Sequence, residues 1–311
     1  MSAMLQTHTE MLSTWHPIET RLGESVPALL EFPRYFEIET VNACNARCPM
    51  CTIDDWERRD GLMEDALFAR IADEIGENRD SVRRVALYRD GEPLLDKKLP
   101  ARIALLKAKG VKRVGISTNA ALLTDRKSRE LLEAGLDEII LSIDSLQPQV
   151  YEAIRPPLDF ASVHQNCTGF IVLRNALKSS CQVWVRMIRQ QANKDEWPEY
   201  ERYWKGIVKP TDRVDYRDIH NWGGQLVNFR PIARANTEDP CVALWSLMVV
   251  FADGTVPLCN VDYNKTRVLG NLRTSTITDL WRSNEQAHRR GEHLERARTG
   301  ICVGCTVWGD K

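Results

Sequence analysis

Three cysteines stand close together at Cys44, Cys48 and Cys51, in the stretch CNARCPMC. The preceding residues, FEIETVNA, have the composition of a strand, so the cysteines are expected on the loop that follows it. Four thiolates would fill every position of a tetrahedral zinc ion or of a cubane iron–sulfur cluster. Three thiolates leave one iron open, and a small molecule can bind there through its own amine and carboxylate.

A second set of four cysteines lies in the last quarter of the chain. Its members are Cys241, Cys259, Cys302 and Cys305, spaced as C-x17-C, a gap of 42 residues and a final CxxC. Four thiolates with no open position can hold a complete cluster, but zinc accepts the same ligands. A zinc knuckle or plain burial for the first set, and a zinc staple for the second, therefore remain as alternatives.

The composition restricts the class of protein. The chain has 311 residues, 43% of them hydrophobic, which suffices for one large core with or without a small second domain. Lys and Arg number 42 against 43 Asp and Glu, so we expect no binding to nucleic acid or to an anionic membrane. The longest apolar run is far shorter than the roughly 20 residues of a membrane span, and no secretory signal is visible. We expect a cytoplasmic protein whose cysteines serve metal or redox chemistry.

The elements that position these cysteines follow an alternating pattern. Runs of β-forming residues alternate with helical patterns, which predicts parallel strands joined by crossover helices. The runs are residues 36–41, 82–88, 111–117, 138–144, 182–188 and 213–219. Six strand–helix units are too few for a closed eight-unit barrel, which takes about 250 residues. The predicted fold class is α/β, a partial (β/α)6 barrel followed by a small cysteine-rich domain.

Two local patterns add detail to this fold. Leu67, Ile71 and Ile75 form a stripe at four-residue spacing that predicts a helix, and Thr124 could cap the helix that closes at Gly135. The stretch MVVFADGTVPL predicts a hairpin with its turn at Asp253-Gly254.

We predict three segments from these changes of pattern. They are an amino-terminal extension at 1–30, the barrel at 31–235 and the cysteine-rich domain at 236–311.

The CxxxCxxC spacing, the preceding strand and the barrel pattern together resemble the radical S-adenosylmethionine (SAM) enzymes over nearly the whole chain. The resemblance implies a 4Fe-4S cluster on the first three cysteines, with SAM bound at its open iron. The stretch DGTVPLCNVD and the final CxxC resemble the SPASM auxiliary-cluster domain in its shortened, twitch-type form. Full SPASM domains carry seven cysteines for two clusters, so the four present here imply one auxiliary 4Fe-4S cluster.

The resemblance also assigns polar residues at the strand ends to SAM. The segment RDGEPLL is similar to the family's GGE motif, in which Glu92 would meet the SAM amino group. Asp90 stands where many members have the first glycine. Polar groups that follow the carboxyl ends of parallel strands gather at one edge of a sheet. The further candidates at these ends are Ser117 and Asn119 in STNA, and Ser142 and Asp144 in SIDS.

Residues near the last two strands are candidates for substrate contact. Arg186 would suit the SAM carboxylate or an anionic substrate group if it points inward. Asp218 and His220 have alternate spacing and could act as base and orienter, although an ordinary strand end and turn explains them equally well. Cys167 and Cys181 lie outside both sets, and burial is the simpler explanation for each. A thiol at Cys181 could instead donate a hydrogen atom to a carbon radical.

Membership of this family would imply reductive cleavage of SAM to methionine and a 5′-deoxyadenosyl radical, which takes a hydrogen atom from an unactivated carbon. The resemblance is greatest to compact members that act on aminocyclitols, aminoglycosides and related sugars, and so to antibiotic biosynthesis. A dehydrogenase would oxidise a carbinol to a ketone and pass an electron to the auxiliary cluster. An epimerase of a sugar or short peptide would take a hydrogen atom from a cysteine thiol. We favour the dehydrogenase, because a four-thiolate cluster supplies an electron sink that epimerisation does not require.

The expected partners are a small-molecule substrate and a flavodoxin or ferredoxin that delivers electrons. The alternative from another class is a zinc-stapled binding protein without enzymatic activity, in which all seven motif cysteines are structural.

Overall fold

The structure is a computed structural model, and it describes residues 15–226 and 239–305. The predicted boundary at residue 236 lies outside these residues, as does the first part of the predicted amino-terminal extension.

Seven parallel strands form the main sheet. They are β1 (Tyr35–Ile38), β2 (Arg84–Ala86), β3 (Val114–Thr118), β4 (Glu138–Ser142), β5 (Gln182–Arg189), β6 (Arg213–Asp218) and β7 (Leu247–Val250). Their order across the sheet is β6-β5-β4-β3-β2-β1-β7. Each of the six runs predicted from the sequence overlaps one of the first six strands, and the α/β fold with a partial (β/α)6 barrel is confirmed.

The helices lie before, between and after these strands. They are α1 (15–22), α2 (Val26–Glu31), α3 (Asp65–Glu77), α4 (Leu99–Ala108), α5 (Asp125–Glu133), α6 (Pro148–Ile154), α7 (Phe160–Ala176), α8 (Trp197–Lys205), α9 (Ala243–Ser246), α10 (Ile277–Trp281) and α11 (Asn284–Leu294). At least one helix follows each of β1 to β5, as crossover connections require.

The local patterns explain why these helices form where they do. The predicted stripe of Leu67, Ile71 and Ile75 lies on α3, and all three side chains are buried. Thr124 caps α5, because its side chain accepts the backbone N–H of Lys127. Gly135 follows the end of α5 with φ of +88°, the left-handed conformation that glycine adopts without strain.

Strand β5 shows how the sheet separates its core from the site. Val183, Val185 and Met187 are fully buried and belong to the main hydrophobic core. The alternate residues are only partly buried, and two of them, Arg186 and Ile188, line the pocket described below. The period of two along a strand thus assigns one face to packing and the other to the site.

The stretch predicted as a hairpin contributes to two different sheets. Its first part, β7, pairs in parallel with β1, and its second part, β8 (Thr255–Pro257), pairs antiparallel with β9 (Val268–Asn271). The turn is present, with φ of +91° at Gly254, but the predicted pairing is wrong. Strand β7 is apolar, and it completes the backbone hydrogen bonds of β1, which otherwise would be an edge strand.

The C-terminal segment packs against the first helices of the described chain. Ile18 and Leu29 share a core cluster with Trp245, and the Trp281 indole donates to the Leu29 carbonyl at 3.0 Å. Residues 15–31 are therefore packed against the cysteine-rich part of the molecule. In the described part of the chain, no helix has the length and apolar character needed to cross a bilayer.

Candidate active site and cluster sites

A pocket of about 320 Å³ opens at the carboxyl ends of the parallel strands. Cys44, Cys48 and Cys51 lie along one side of it, on the loop after β1. The opposite wall comes from the ends of β2 to β6. The predicted site residues that line it are Glu92, Ser117, Asn119, Ser142, Arg186 and His220. The structure thus brings together residues spread over more than half the chain.

The cysteine loop has the donor chemistry of a metal cluster. Burial raises the pKa of Cys44 and Cys48, and raises that of Cys51 to about 12. Such thiols become thiolates only beside a strong positive charge, and iron supplies it. The Asn119 side chain holds the loop, since its Nδ2 donates to Asn45 Oδ1 at 2.8 Å. The three residues therefore fit a cluster that leaves one iron open.

Glu92 is a fixed acceptor at the edge of the pocket. Its Oε1 accepts the Thr118 hydroxyl at 2.7 Å and the Leu94 N–H at 3.0 Å, and its Oε2 accepts the Asn119 N–H at 2.8 Å. These bonds immobilise the carboxylate, while burial raises its pKa. A rigid carboxylate with little water around it is suited to an ammonium group.

Gly91 lets the Glu92 segment touch the cysteine loop. A Cβ at this position would lie 2.2 Å from the Val41 carbonyl oxygen and 2.7 Å from that of Ala43. The neighbouring Glu92 N–H donates to the Ala43 carbonyl at 2.8 Å. Only glycine allows this close backbone approach.

Asp90, which departs from the family's glycine, joins the pocket to the C-terminal domain. It accepts Arg58 at 2.6 Å and Arg89 at 2.7 Å. Arg58 also donates to the Tyr263 carbonyl at 2.5 Å, and Arg89 donates to the Asn260 carbonyl. The presence of Asp90 in place of glycine was the only hint of this network in the motif. The residues that the network reaches, Asn260 and Tyr263, lie far away in the sequence.

Asp144 does not line the pocket. It is fully buried, accepts Arg155 Nε at 2.6 Å and accepts the Ile188 N–H at 2.7 Å. Arg155 lines the pocket instead, close enough to Cys48 for each to affect the pKa of the other. The structure therefore gives Asp144 the task of positioning Arg155, a residue that the motifs did not identify.

Arg186 lines the pocket, so it has the inward position that contact with SAM or substrate would need. Its guanidinium forms two hydrogen bonds with Asp215, each at 2.8 Å, and lies 5.3 Å from the centre of the Trp184 ring. The planar group is held in one orientation, with its charge partly balanced.

The predicted pair of Asp218 and His220 is separated. Asp218 accepts two hydrogen bonds from Arg189, at 2.6 and 2.9 Å. His220 lines the pocket, and its Nδ1 accepts the Trp222 N–H at 3.2 Å. Burial and the Arg89 guanidinium lower the pKa of His220 to about 4, so the ring is neutral at pH 7. With Nδ1 occupied, the proton of the neutral ring resides on Nε2, and His220 is a hydrogen-bond donor.

The two remaining cysteines are buried away from the pocket. Cys167 lies on α7 in the main core. Cys181 directly precedes β5, at the amino end of the strand, whereas the pocket lies at the carboxyl ends. Its carbonyl accepts Arg174 at 2.7 Å. This placement removes Cys181 from the residues that could reach a substrate.

The second cysteine set forms its own site. Cys241, Cys259, Cys302 and Cys305 line one cavity, and burial raises the pKa of the first three. Among residues 15–226 and 239–305, no three His, Cys, Asp or Glu side chains lie close enough together to ligate a single metal ion. A cubane has no such requirement, because each of its four irons takes its own thiolate. The donor set fits a complete cluster.

Comparison with known proteins gives the family. The Radical SAM superfamily matches residues 38–168, and the SPASM iron–sulfur cluster-binding domain matches residues 241–306. A curated relative from Pyrococcus furiosus, the tungsten-containing aldehyde ferredoxin oxidoreductase cofactor-modifying protein, is 34% identical over 80% of this chain and 81% of its own. The S-adenosyl-L-methionine-dependent 2-deoxy-scyllo-inosamine dehydrogenase of Niallia circulans is 23% identical over 86% of this chain and 91% of its own.

Two solved structures share the fold. The crystal structure of BtrN in complex with AdoMet and 2-DOIA has a TM-score of 0.62 at 22% identity, over 88% of this chain and 92% of its own. Streptococcus suis SuiB bound to its precursor peptide SuiA has a TM-score of 0.69 at 13% identity, over 89% of this chain and 70% of its own. The chain belongs to the radical SAM superfamily, and it is an enzyme that uses SAM, a SAM-binding 4Fe-4S cluster and an auxiliary iron–sulfur cluster in a SPASM domain.

Proposed function

We propose that the protein is a radical SAM dehydrogenase that oxidises a carbinol of a small polyhydroxylated substrate, an aminocyclitol, an aminoglycoside or a sugar, to a ketone. When bound, SAM and the two clusters would supply a 5′-deoxyadenosyl radical that takes the carbinol hydrogen atom and an acceptor for the remaining electron, and the hydroxyl proton would pass to solvent. The name of the Niallia circulans relative, a dehydrogenase of an amino-substituted cyclitol, supports this substrate class. The pocket wall also carries Arg186 and His220, whose N–H groups can donate hydrogen bonds to hydroxyl groups.

The placement of the cysteines carries the choice of oxidation over epimerisation. An epimerase of the kind considered above needs a thiol that returns a hydrogen atom to the substrate radical. All nine cysteines are described, and those that line the pocket are the three proposed cluster ligands. Cys167 and Cys181 are buried elsewhere. Apart from the proposed cluster ligands, the pocket therefore holds no thiol that could return a hydrogen atom, and this favours oxidation.

Each part of the pocket has a proposed task. Cys44, Cys48 and Cys51 hold the open cluster, and Glu92 accepts the SAM ammonium group. The pairing of Asp144 with Arg155 fixes a positive charge beside the cluster loop. The remaining proposed SAM contacts are Ser117, Asn119 and Ser142.

Arg186 and His220 form the proposed substrate side of the pocket. His220 donates from Nε2 to the oxygen of the reacting carbinol, because its Nδ1 is already occupied. Arg186, fixed by Asp215, donates to a neighbouring hydroxyl or to an anionic substituent. Asp218, which is paired with Arg189, and Cys181, which lies at the amino end of β5, are not part of this set.

The proposal includes an electron donor and the limits of two domains. A flavodoxin or ferredoxin delivers the electron that starts each cycle. Residues 31–235 act as the SAM domain and residues 236–311 as the auxiliary domain, with β7 completing the sheet of the former.

The decisive experiment is anaerobic turnover of a panel of aminocyclitols and aminoglycosides, followed by mass spectrometry. We expect a product two mass units lighter, with no deuterium at the attacked carbon when the reaction runs in deuterated water. A product whose mass is unchanged in ordinary water and rises by one unit in deuterated water would refute oxidation in favour of epimerisation. A colourless protein that contains zinc and forms no 5′-deoxyadenosine would refute the radical chemistry in this protein.

A second candidate substrate follows from the relative with 34% identity, which is named for modifying the cofactor of another enzyme. The same radical chemistry would then act on a cofactor-sized molecule instead of a free sugar. If every aminocyclitol in the panel fails while SAM cleavage proceeds, this candidate replaces the first. A mass shift in a cofactor extracted from cells that express the gene, absent from cells that lack it, would establish it.

A further inference from the structure

The turn after β6 reaches the loop of the open cluster. We call residues 220–225, HNWGGQ, the rim turn. The Trp222 indole Nε1 donates to the carbonyl of Met50, which lies between Cys48 and Cys51. The distance is 3.3 Å. Trp222 also packs against the same small apolar cluster as Cys51. The indole therefore braces the segment that carries the cluster ligands.

The other side of the rim turn contacts the loops of the auxiliary cysteines. Asn221 Nδ2 donates to the Gly304 carbonyl at 3.3 Å, and Gln225 Nε2 donates to the Val261 carbonyl at 2.7 Å. A Cβ at Gly223 would lie 2.7 Å from the Ile301 carbonyl oxygen. These three carbonyls lie within two residues of three auxiliary cysteines, Cys305, Cys259 and Cys302.

The backbone of the rim turn is held in an unusual conformation. Trp222, Gly223 and Gly224 have φ of +52°, +71° and +82°. Positive φ is uncommon for a bulky residue such as tryptophan and persists only where surrounding contacts enforce it. The contacts on both sides of the turn supply that enforcement.

We propose that the rim turn couples the two cluster sites, so that an auxiliary domain with its cluster in place holds Trp222 against the Met50 carbonyl and thereby strengthens SAM binding at the open cluster. Trp222 is in this view a positioning residue for the cysteine loop. The auxiliary domain then has a task beyond accepting electrons. The inference concerns SAM binding alone, so it holds or fails independently of which substrate is oxidised.

A matched pair of glycines provides the first test. Both Gly223 and Gly224 have positive φ, so Gly223→Ala and Gly224→Ala impose similar backbone strain. Only the first adds a methyl group against the auxiliary loop, because a Cβ at Gly224 has no atom within 4 Å. We expect Gly223→Ala to weaken SAM binding by about fivefold, the equivalent of one lost hydrogen bond. Gly224→Ala should bind SAM like the native protein.

The measurement uses the anaerobically reconstituted holoenzyme and needs no turnover. Equilibrium SAM binding is recorded together with the electron paramagnetic resonance spectrum of the reduced open cluster before and after SAM addition. An iron content of about eight per chain, from two cubanes, shows that each glycine variant is fully loaded. Equal weakening by the two glycine variants, or no weakening by either, would overturn the proposal.

A double-mutant cycle separates coupling from local damage. Trp222→Phe keeps a ring but removes the indole N–H, and Cys302→Ala removes an auxiliary ligand. If the sites are coupled through the turn, each change alone weakens SAM binding about fivefold, and the double variant is no weaker than Cys302→Ala. Losses that multiply in the double variant show independent effects and refute the coupling, as does native affinity in Cys302→Ala. Coupling without any oxidised product would leave this inference standing while the proposed function fails.

Discussion

Alanine at Gly91 would place a methyl group inside the contact between the Glu92 segment and the cysteine loop. Its Cβ would lie 2.2 Å from the Val41 carbonyl oxygen, whereas ordinary contacts begin near 3.4 Å. The two backbones must therefore separate by about 1.2 Å. Neither can rotate away as a side chain would, because the clashing atoms belong to the main chain.

The expected size of the effect follows from this clash. Overpacking of a tight contact costs about 1–3 kcal/mol. The hydrogen bond from the Glu92 N–H to the Ala43 carbonyl, 2.8 Å long, is lost as well, and this contributes about 1 kcal/mol. Together they amount to about 2–4 kcal/mol, which corresponds to a roughly 30- to 1,000-fold loss in SAM affinity if the whole cost falls on the SAM-binding state.

The assay measures 5′-deoxyadenosine formation and SAM binding in the reconstituted Gly91→Ala protein. Gly291→Ala is the control, since a Cβ there meets nothing within 4 Å and alanine favours the helix α11. The auxiliary cluster should remain in Gly91→Ala, because its ligands lie on other loops. If Gly91→Ala cleaves SAM at the native rate and binds it with native affinity, the assigned role of this contact is wrong.

Four further changes test the rest of the assignment. Cys48→Ala should abolish 5′-deoxyadenosine formation and lower the iron content to about four per chain, with the auxiliary cluster retained; native SAM cleavage would contradict the ligand assignment. Cys302→Ala should also lower the iron content, and 5′-deoxyadenosine should still form while the ketone does not; unchanged ketone formation would make the auxiliary domain a scaffold. Cys181→Ala should leave both products unchanged, and selective loss of product would restore it as a hydrogen donor. Asp212→Asn should lower the free energy of unfolding by about 3 kcal/mol, because it leaves the buried Arg174 charge without its partner. Hydrogen bonds from Arg174 hold the pKa of Asp212 below its usual value, so in the native protein this stabilisation is complete at neutral pH and is lost as the pH falls through that depressed pKa; denaturation curves at pH 7 and pH 3 measure it.

Features encoded by adjacent residues could be predicted from the sequence. The buried stripe of α3, the cap at Thr124 and the cysteine spacing all depend on neighbours within a few positions. Glu92 was identified from the resemblance of RDGEPLL to the family's GGE motif, and the structure places it at the pocket edge. The fold and the candidate cluster ligands can therefore be predicted from residues that are close together in the sequence.

The predictions that failed depended on where a periodic pattern stops. Alternate spacing put Asp218 and His220 on one face, but β6 ends at Asp218 and the rim turn redirects the chain. Asp144 follows a strand, as a ligand-binding residue would, yet α6 brings Arg155 close enough to take its carboxylate. The separation of Asp218 from His220 and the pairing of Asp144 with Arg155 are both decided by the conformation of the chain that follows each strand.

The pairing of β7 with β1 also could not be predicted from neighbouring residues, for a different reason. The apolar run that forms β7 sits beside a good turn signal, so its adjacent partner is the natural choice. The pairing that formed joins Tyr35 to Leu247, across most of the chain. Nothing within the run itself indicates so distant a partner.

This pairing affects how the protein folds while it is synthesised on the ribosome. Strand β1 leaves the exit tunnel long before β7, the strand that covers its free side, because β7 lies more than two hundred residues further along the chain. During that interval the backbone donors and acceptors of a largely apolar strand remain open to any other extended segment, which is a recognised hazard for aggregation. The sheet that carries the open-cluster loop reaches its final form only after the auxiliary segment has been synthesised. Completion of the pocket is thereby delayed until the auxiliary segment has left the ribosome.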